Sequence, residues 1–366
     1  MSRSADSGTG TAVKVGGGEV LLRADNLSRT FRVGSRFSPS RVSAVDRVSL
    51  ELAAGESLGI VGETGCGKST LARMLVGLER PDGGTLTYCG QNVTKGRRTE
   101  RRLLRQGVQM IFQDPYTSLD PRMTVLDLVA EPLAATRVAT PRKRRDRVAE
   151  LLELVGLSTE MLTRYPHQFS GGQRQRIGIA RALALDPKVL ICDEPVSALD
   201  VSVQAQVINL LRDLQHRLGV ALLFIAHDLS VVRHIADRTA VMYLGRLAET
   251  GPTSTIYEDP KHPYTRALLS ASPSVGSASR GQLRRRLVLA GEPPSPVNPP
   301  SGCRFHERCP LAQDVCQVNV PSLREVKGDE DADGRSRLSA CHFAEQVVPP
   351  VRIPDEPDSA SRHPAR

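Results

Sequence analysis

The sequence has no tryptophan, and aromatic residues fill only 4% of its 366 positions. Surfaces that hold nucleic acid by stacking need rings among their cations, so this scarcity speaks against a base-stacking protein, and no nucleic acid is expected as a partner. Also missing is any apolar run near the ~20 residues of a membrane span, so the chain is not expected to cross a membrane itself. Residues 1–18 are rich in Ser, Gly and Thr and lack an apolar h-region. They read as a disordered lead-in rather than a signal peptide, which keeps the protein inside the cell. A disulfide framework is then not expected, although seven cysteines are present.

What remains is an ordinary globular composition, 40% hydrophobic and 24% charged, long enough for two or three domains with a buried core. The net charge of +9 suits nucleic acid, an anionic membrane surface or an Arg-rich proteome. Basic runs at 95–105 and 142–147 are accompanied by Leu103, Leu104, Val148, Leu151, Leu152 and Val155 at helical spacing. They are expected to form amphipathic helices with solvated charged faces.

The chain is organised around Gly62-Glu63-Thr64-Gly65-Cys66-Gly67-Lys68-Ser69-Thr70, which follows the apolar run Leu58 to Val61. A strand, a glycine-rich loop and a helix starting near Lys68 make a phosphate cradle, with bare N–H groups and a helix dipole facing the anion. Lys68 reaches the β- and γ-phosphates, and the Ser69 hydroxyl suits Mg²⁺, a hard cation that takes oxygen ligands. Ahead of the loop, 21–33 and 43–52 alternate as half-buried strands of an antiparallel layer. Phe31, on the first of them, is a candidate to stack on adenine, against the alternative of an ordinary core or loop Phe. Short strands are expected after Gly84 and at 108–112, the second ending at Gln113.

A second anion-binding design follows at Ser170-Gly171-Gly172-Gln173, before a helix expected over 177–185. The buried strand 189–194 delivers Asp193 and Glu194 at its carboxyl end. Adjacent strand residues point to opposite faces, so the two acids should have different tasks. Ser197 to Asp200, a helix over 202–218, a strand over 221–226 and His227 complete the series.

In this order and spacing the motifs resemble the ATPase subunit of an ABC transporter, over about residues 21–251. The family's signature usually begins with Leu where this chain has Phe169. The resemblance implies an α/β fold: a RecA-like P-loop core with an antiparallel β layer and a helical subdomain at about 114–180, within a nucleotide-binding domain at 19–255. It implies ATP and Mg²⁺, with Asp193 and Gln113 beside the metal, Glu194 as general base and His227 on the γ-phosphate. Ser170 to Gln173 complete the nucleotide site of a second, head-to-tail ATPase subunit, with Asp200 in the adjoining D-loop. Beyond Gly251, 256–265 and the Pro-rich 291–305 are similar to the C-terminal extension of oligopeptide and dipeptide importer ATPases, a group that includes nickel importers. An extension at 256–345 is expected, with a small-residue linker at 272–280 and a disordered tail at 346–366. The implied partners are a paralogous ATPase, two transmembrane permease subunits and an external solute-binding protein, which places this chain on the cytoplasmic face of the membrane. A soluble ABC ATPase acting on ribosomes or DNA, and a catalytically silent half of a heterodimer, are the competing readings. The single phosphate loop and the intact Glu194 and His227 weigh against them.

Cys66, Cys89 and Cys192 are scattered, whereas Cys303, Cys309, Cys316 and Cys341 cluster in the extension. Four clustered thiols suggest a metal or cluster site, although the spacings match neither common zinc pairs nor ferredoxin runs. The resemblance favours a [4Fe-4S] cluster. Zinc, or free cysteines docked against the cassette, are the alternatives.

Overall fold

Two alternating segments pair first. Strands β1 (Val20–Ser35) and β2 (Ser38–Ala53) run antiparallel from Val20↔Ala53 to Ser35↔Ser38, longer than their apolar marks suggest. The structure, a computed structural model, describes residues 18–35, 38–114, 118–137, 140–271, 294–330 and 336–347. The linker at 272–280, nearly all of the lead-in at 1–18 and of the tail at 346–366 lie outside the described residues. After β2 come β3 (Ser57–Val61) and helix α1 (Lys68–Leu75), which ends short of Leu78 where Gly77 takes φ 78°. Strands β4 (Gly83–Tyr88) and β5 (Gln91–Asn92) complete a four-stranded layer ordered β2-β1-β4-β5. Helix α2 (Arg98–Gly107) carries the first basic run and buries only Leu104, and β6 (Val108–Ile111) follows.

Helices α3 (Val125–Thr136), α4 (Pro141–Leu154) and α5 (Gly171–Leu183) then pack together through Leu128, Val129, Leu151, Leu152 and Ile177. α5 begins at Gly171, earlier than the expected Ile177, because Ser170 and Gln173 form a reciprocal cap. Strand β7 (Val189–Asp193), α6 (Val201–Leu218), β8 (Ala221–Ala226), α7 (Leu229–Ile235), β9 (Arg238–Tyr243) and β10 (Arg246–Pro252) alternate as α/β units. α8 (Thr253–Glu258), α9 (Pro263–Ala271), α10 (Asp314–Val318), β11 (Arg324–Glu330) and β12 (Ser336–Ser339) finish the chain.

The second sheet is ordered β11-β12-β10-β9-β3-β8-β7-β6, and its five strands from β9 to β6 are parallel. Strand alternation divides its side chains between two cores. Leu58, Ile60, Val189, Ile191, Leu223 and Ile225 join α1 and the antiparallel layer. Leu190, Cys192, Leu222, Phe224 and Val61 join the helical side. Both faces are therefore dry, which is why β3, β7 and β8 are buried at every position.

The extension is fastened to the cassette by a strand and by an aromatic side chain. β12 pairs with β10 at Glu249↔Ser339 and Thr250↔Leu338, and Phe305 is buried against Tyr243 and Tyr264 of the main core. Among the described residues its own apolar cluster is Val326, Cys341 and Ala344 with Phe343. The extension thus borrows the cassette's core. At the junction, the buried Glu249 carboxylate accepts N–H groups of Lys261 at 2.7 Å and His262 at 3.0 Å, and burial lifts its pKa to about 7. Burial pushes His262 the other way, from 6.5 to about 4, and its Nδ1 accepts the Tyr264 N–H at 3.1 Å.

A histidine whose folded pKa is depressed contributes stability that is present above its unfolded pKa and is lost as pH falls through the folded one. The stability advantage of the natural protein over His262→Gln should therefore shrink by at most about 3 kcal/mol as pH drops from 6.5 to about 4. Glu249 titrates in both proteins and cancels in the comparison. Denaturant unfolding across this window checks it, and a constant difference would show that His262 does not titrate with folding.

Candidate active site

Parallel strands send their carboxyl ends to one edge, where open α/β sheets bind ligands. β3 delivers the glycine loop there, β6 Gln113, β7 the two acids and β8 His227. The loop closes tightly between β3 and α1. A Cβ on Gly62 (φ 157°) would sit 2.1 Å from the Met242 carbonyl oxygen, and one on Gly67 (φ 108°) 1.9 Å from that of Ala44, so only glycine fits either position. Thr64 and Gly65 form the exposed crest, Cys66 is buried below it, and Ser69 and Thr70 are half-buried in the first turn of α1. Lys68 is 4% exposed, and its Nζ donates to the carbonyls of Gly62 at 2.7 Å and Glu63 at 3.1 Å. The loop is thus already curled around a cation.

The two acids take different partners, Asp193 as the last residue of β7 and Glu194 just beyond the strand in a left-handed turn, where the expected strand 189–194 no longer holds. Asp193, on the α1 side, accepts the Ser69 hydroxyl at 3.0 Å. Burial raises its pKa, and the Ser69 hydrogen bond opposes that rise. Glu194 turns the other way and accepts Gln113 Nε2 at 2.8 Å, with His227 Nδ1 3.9 Å away. Its backbone sits at φ 47°, a left-handed conformation costing about 1–3 kcal/mol in a non-glycine residue. Bonds from Glu194 N–H to the Ile225 carbonyl and from Ser197 Oγ to the Glu194 carbonyl, both 3.0 Å, hold it there. Ser69 and Asp193 offer the hard oxygen donors that Mg²⁺ selects. Glu194, side chain 15% exposed beside the open His227, is placed to polarise a water.

The other candidates lie elsewhere on the chain. Ser170 Oγ accepts the Gln173 N–H at 3.3 Å while Gln173 Oε1 accepts the Ser170 N–H at 3.1 Å, so Gly171 and Gly172 open α5 as its first turn. Asp200 is exposed just before α6. Phe31 is half-buried, with the Arg29 guanidinium 4.9 Å above its ring.

Cys303, Cys309, Cys316 and Cys341 line one cavity with His306 and His342, about 10 Å³ in volume and no larger than a water needs. Among the described residues no three His, Cys, Asp or Glu side chains converge closely enough to hold a metal ion, which departs from the expected ligand set. Burial pushes the Cys309 thiol to about 11 and that of Cys341 to about 12.

Two residues that the motifs did not mark also touch the loop. The Glu63 N–H donates to Tyr264 Oη at 2.9 Å, and the Glu63 carboxylate receives Arg308 Nη1 at 3.1 and 3.2 Å. Tyr264 was visible only as part of a subfamily signature, and nothing in the sequence connects Arg308 to a loop 245 residues away.

Comparison with known proteins agrees with this geometry. The family profile "ABC transporter" matches residues 45–197, and "Oligopeptide/dipeptide transporter, C-terminal region" matches 248–316. The di/tripeptide transport ATP-binding protein DppF of Pseudomonas aeruginosa is 49% identical, covering 90% of this chain and 99% of that protein. The oligopeptide transport ATP-binding protein AppF of Bacillus subtilis is 48% identical over 89% and 98%. Among solved structures, a dimeric post-hydrolysis state of the ATP-binding cassette MJ0796 with ADP and Pi superposes with a TM-score of 0.57 at 28% identity, covering 64% of this chain and 99% of that one.

Proposed function

From the premise that the chain belongs to the ABC transporter ATP-binding subunits, and among them to those of oligopeptide and dipeptide transport, we propose how its residues divide the work. The chain hydrolyses ATP as the energy-coupling subunit of a peptide importer, working as one of two cassettes with membrane permease partners. No helix of the described residues is long and apolar enough to cross a membrane.

The observation that carries the assignment is the pairing of Ser69 with Asp193 and of Gln113 with Glu194, each at 3.0 Å or less. Loop 62–70 holds the triphosphate, with Lys68 turned from its carbonyls onto the β- and γ-oxygens and Phe31 against the adenine. Ser69, Asp193 and Gln113 would hold Mg²⁺, which would supply positive charge to the phosphate oxygens when bound. Glu194 accepts the proton of the attacking water, Gln113 orients its carboxylate, and His227 donates to the γ-phosphate. Ser170, Gly171, Gly172 and Gln173 complete the partner cassette's site, with Asp200 at the same seam. The partner is a paralogue, an external binding protein supplies the peptide, and the complex sits on the cytoplasmic face of the membrane. The nucleotide-binding unit spans 19–255, with helices 114–180 as its subdomain, and the Cys/Pro-rich extension spans 256–345.

Uptake of labelled dipeptides and oligopeptides in cells with and without this chain tests the transport assignment. Loss of peptide uptake is expected, and unchanged peptide uptake with lost nickel uptake would move the chain to the nickel branch. The four thiols line one cavity, which is the observation behind an iron–sulfur or zinc site, although among the described residues no three of them converge as metal ligands. Anaerobic purification should then give iron or zinc with fewer than four titratable tail thiols. Four freely titrating thiols and neither metal would leave the cysteines as packing residues.

A further inference from the structure

We propose that Arg308 and Tyr264 are positioning residues for ATP, a clamp by which the C-terminal extension holds the phosphate loop in its binding shape. This rests on the assignment of 62–70 to the triphosphate and adds to it a control point outside the cassette's own motifs.

The clamp fixes one residue, Glu63, through its N–H, its carboxylate and its carbonyl. Tyr264 Oη takes the Glu63 N–H at 2.9 Å, Arg308 takes the Glu63 carboxylate, and the Glu63 carbonyl receives Lys68 Nζ at 3.1 Å. The first two contacts therefore decide where the third acceptor stands, and with it the lysine. The Arg308 side chain is 7% exposed and that of Glu63 24%, so water competes little for the pair. Arg308 is itself aimed. Its guanidinium lies 5.9 Å from the Phe305 ring centroid and its Nη1 3.4 Å from Tyr243 Oη. Phe305 packs edge-on against Tyr243 with centroids 5.4 Å apart, and Tyr243 and Tyr264 lie 4.5 Å apart. In a chain with only 13 Phe and Tyr in total (7 and 6), three converge behind one loop residue. The aromatic cluster joins Tyr243 on β9 of the cassette to Tyr264 and Phe305 of the extension. Displacement of the extension releases Glu63, and ATP must then order the loop at its own expense in affinity.

The test is steady-state ATPase activity of the assembled transporter at varied ATP for Arg308→Ala, Arg308→Lys, Tyr264→Phe, Glu63→Gln and the double variant Arg308→Ala/Glu63→Gln. Arg308→Ala and Tyr264→Phe should each raise KM for ATP about five- to tenfold with kcat within about twofold. Arg308→Lys should recover part of the loss, and the double variant should be no worse than the poorer single one. A role confined to stability would lower the melting temperature and leave KM alone. Should Arg308→Ala fail to fold, Tyr264→Phe and Arg308→Lys still decide. Unchanged KM in both, additive losses, or an effect confined to kcat would overturn the clamp. Lys68→Ala separates the two readings: if it binds ATP normally the loop assignment fails, whereas normal KM in the clamp variants alone removes only the clamp.

Discussion

Glu194→Gln in the assembled transporter is expected to lower ATP turnover by about 10² to 10⁴-fold, the range lost with a general base, while ATP binding persists. The amide keeps the volume of the carboxylate and an oxygen that can still accept Gln113 Nε2, now bonded at 2.8 Å. What it loses is the capacity to take a proton from water. The left-handed backbone at φ 47° is unaffected, because the two side chains share their backbone preferences. Binding without hydrolysis should trap the nucleotide-bound cassette pair, seen as ATP that stays with the assembled transporter through gel filtration. Near-normal hydrolysis would remove Glu194 from the role of base and point to His227 or Asp193.

Lys68→Ala is expected to weaken ATP binding about 10²-fold or more, since charge-assisted hydrogen bonds contribute about 1.5–3 kcal/mol each and Lys68 offers at least two. The present acceptors of the buried ammonium are the Gly62 and Glu63 carbonyls. Calorimetry with the isolated chain measures the change. Affinity equal to that of the natural protein would show that the triphosphate does not lie on this loop.

The parallel core and its edge were legible because they obey local rules. Dry runs such as 189–193 and 221–226 read as strands buried on both faces, whereas Glu194 parts from Asp193 through a left-handed backbone that the expected strand over 189–194 did not show. Distances between motifs were not legible: nothing local places Gln113 against a glutamate 81 residues later. The extension was least legible. Arg324–Glu330 and Ser336–Ser339 carry only Val326 and Leu338 as apolar marks, with Asp333-Gly334 between them as a turn signal, and β12 joins the sheet by pairing with β10 while β11 pairs with β12. Its cysteines drew attention as a staple, while Phe305, a lone aromatic in a polar segment, proved to be the anchor. α5 started early for a simpler reason, because the cap at Ser170 outweighed two glycines.

The placement of β3 at the middle of the parallel sheet has a consequence for synthesis. Its neighbours are β8 and β9, and Ser57 N–H is bonded to the Asp237 carboxylate 180 residues further on. At about 5–20 residues per second the ribosome needs roughly ten to forty seconds to produce that partner. Through most of this interval a strand that ends fully buried has no mate, and the floor beneath Gly62, which is the Met242 carbonyl, does not yet exist. The nucleotide loop is therefore encoded early and matures late. Arrested chains ending before β9 should be clients for holdase chaperones, and ATP cannot serve them as a folding ligand.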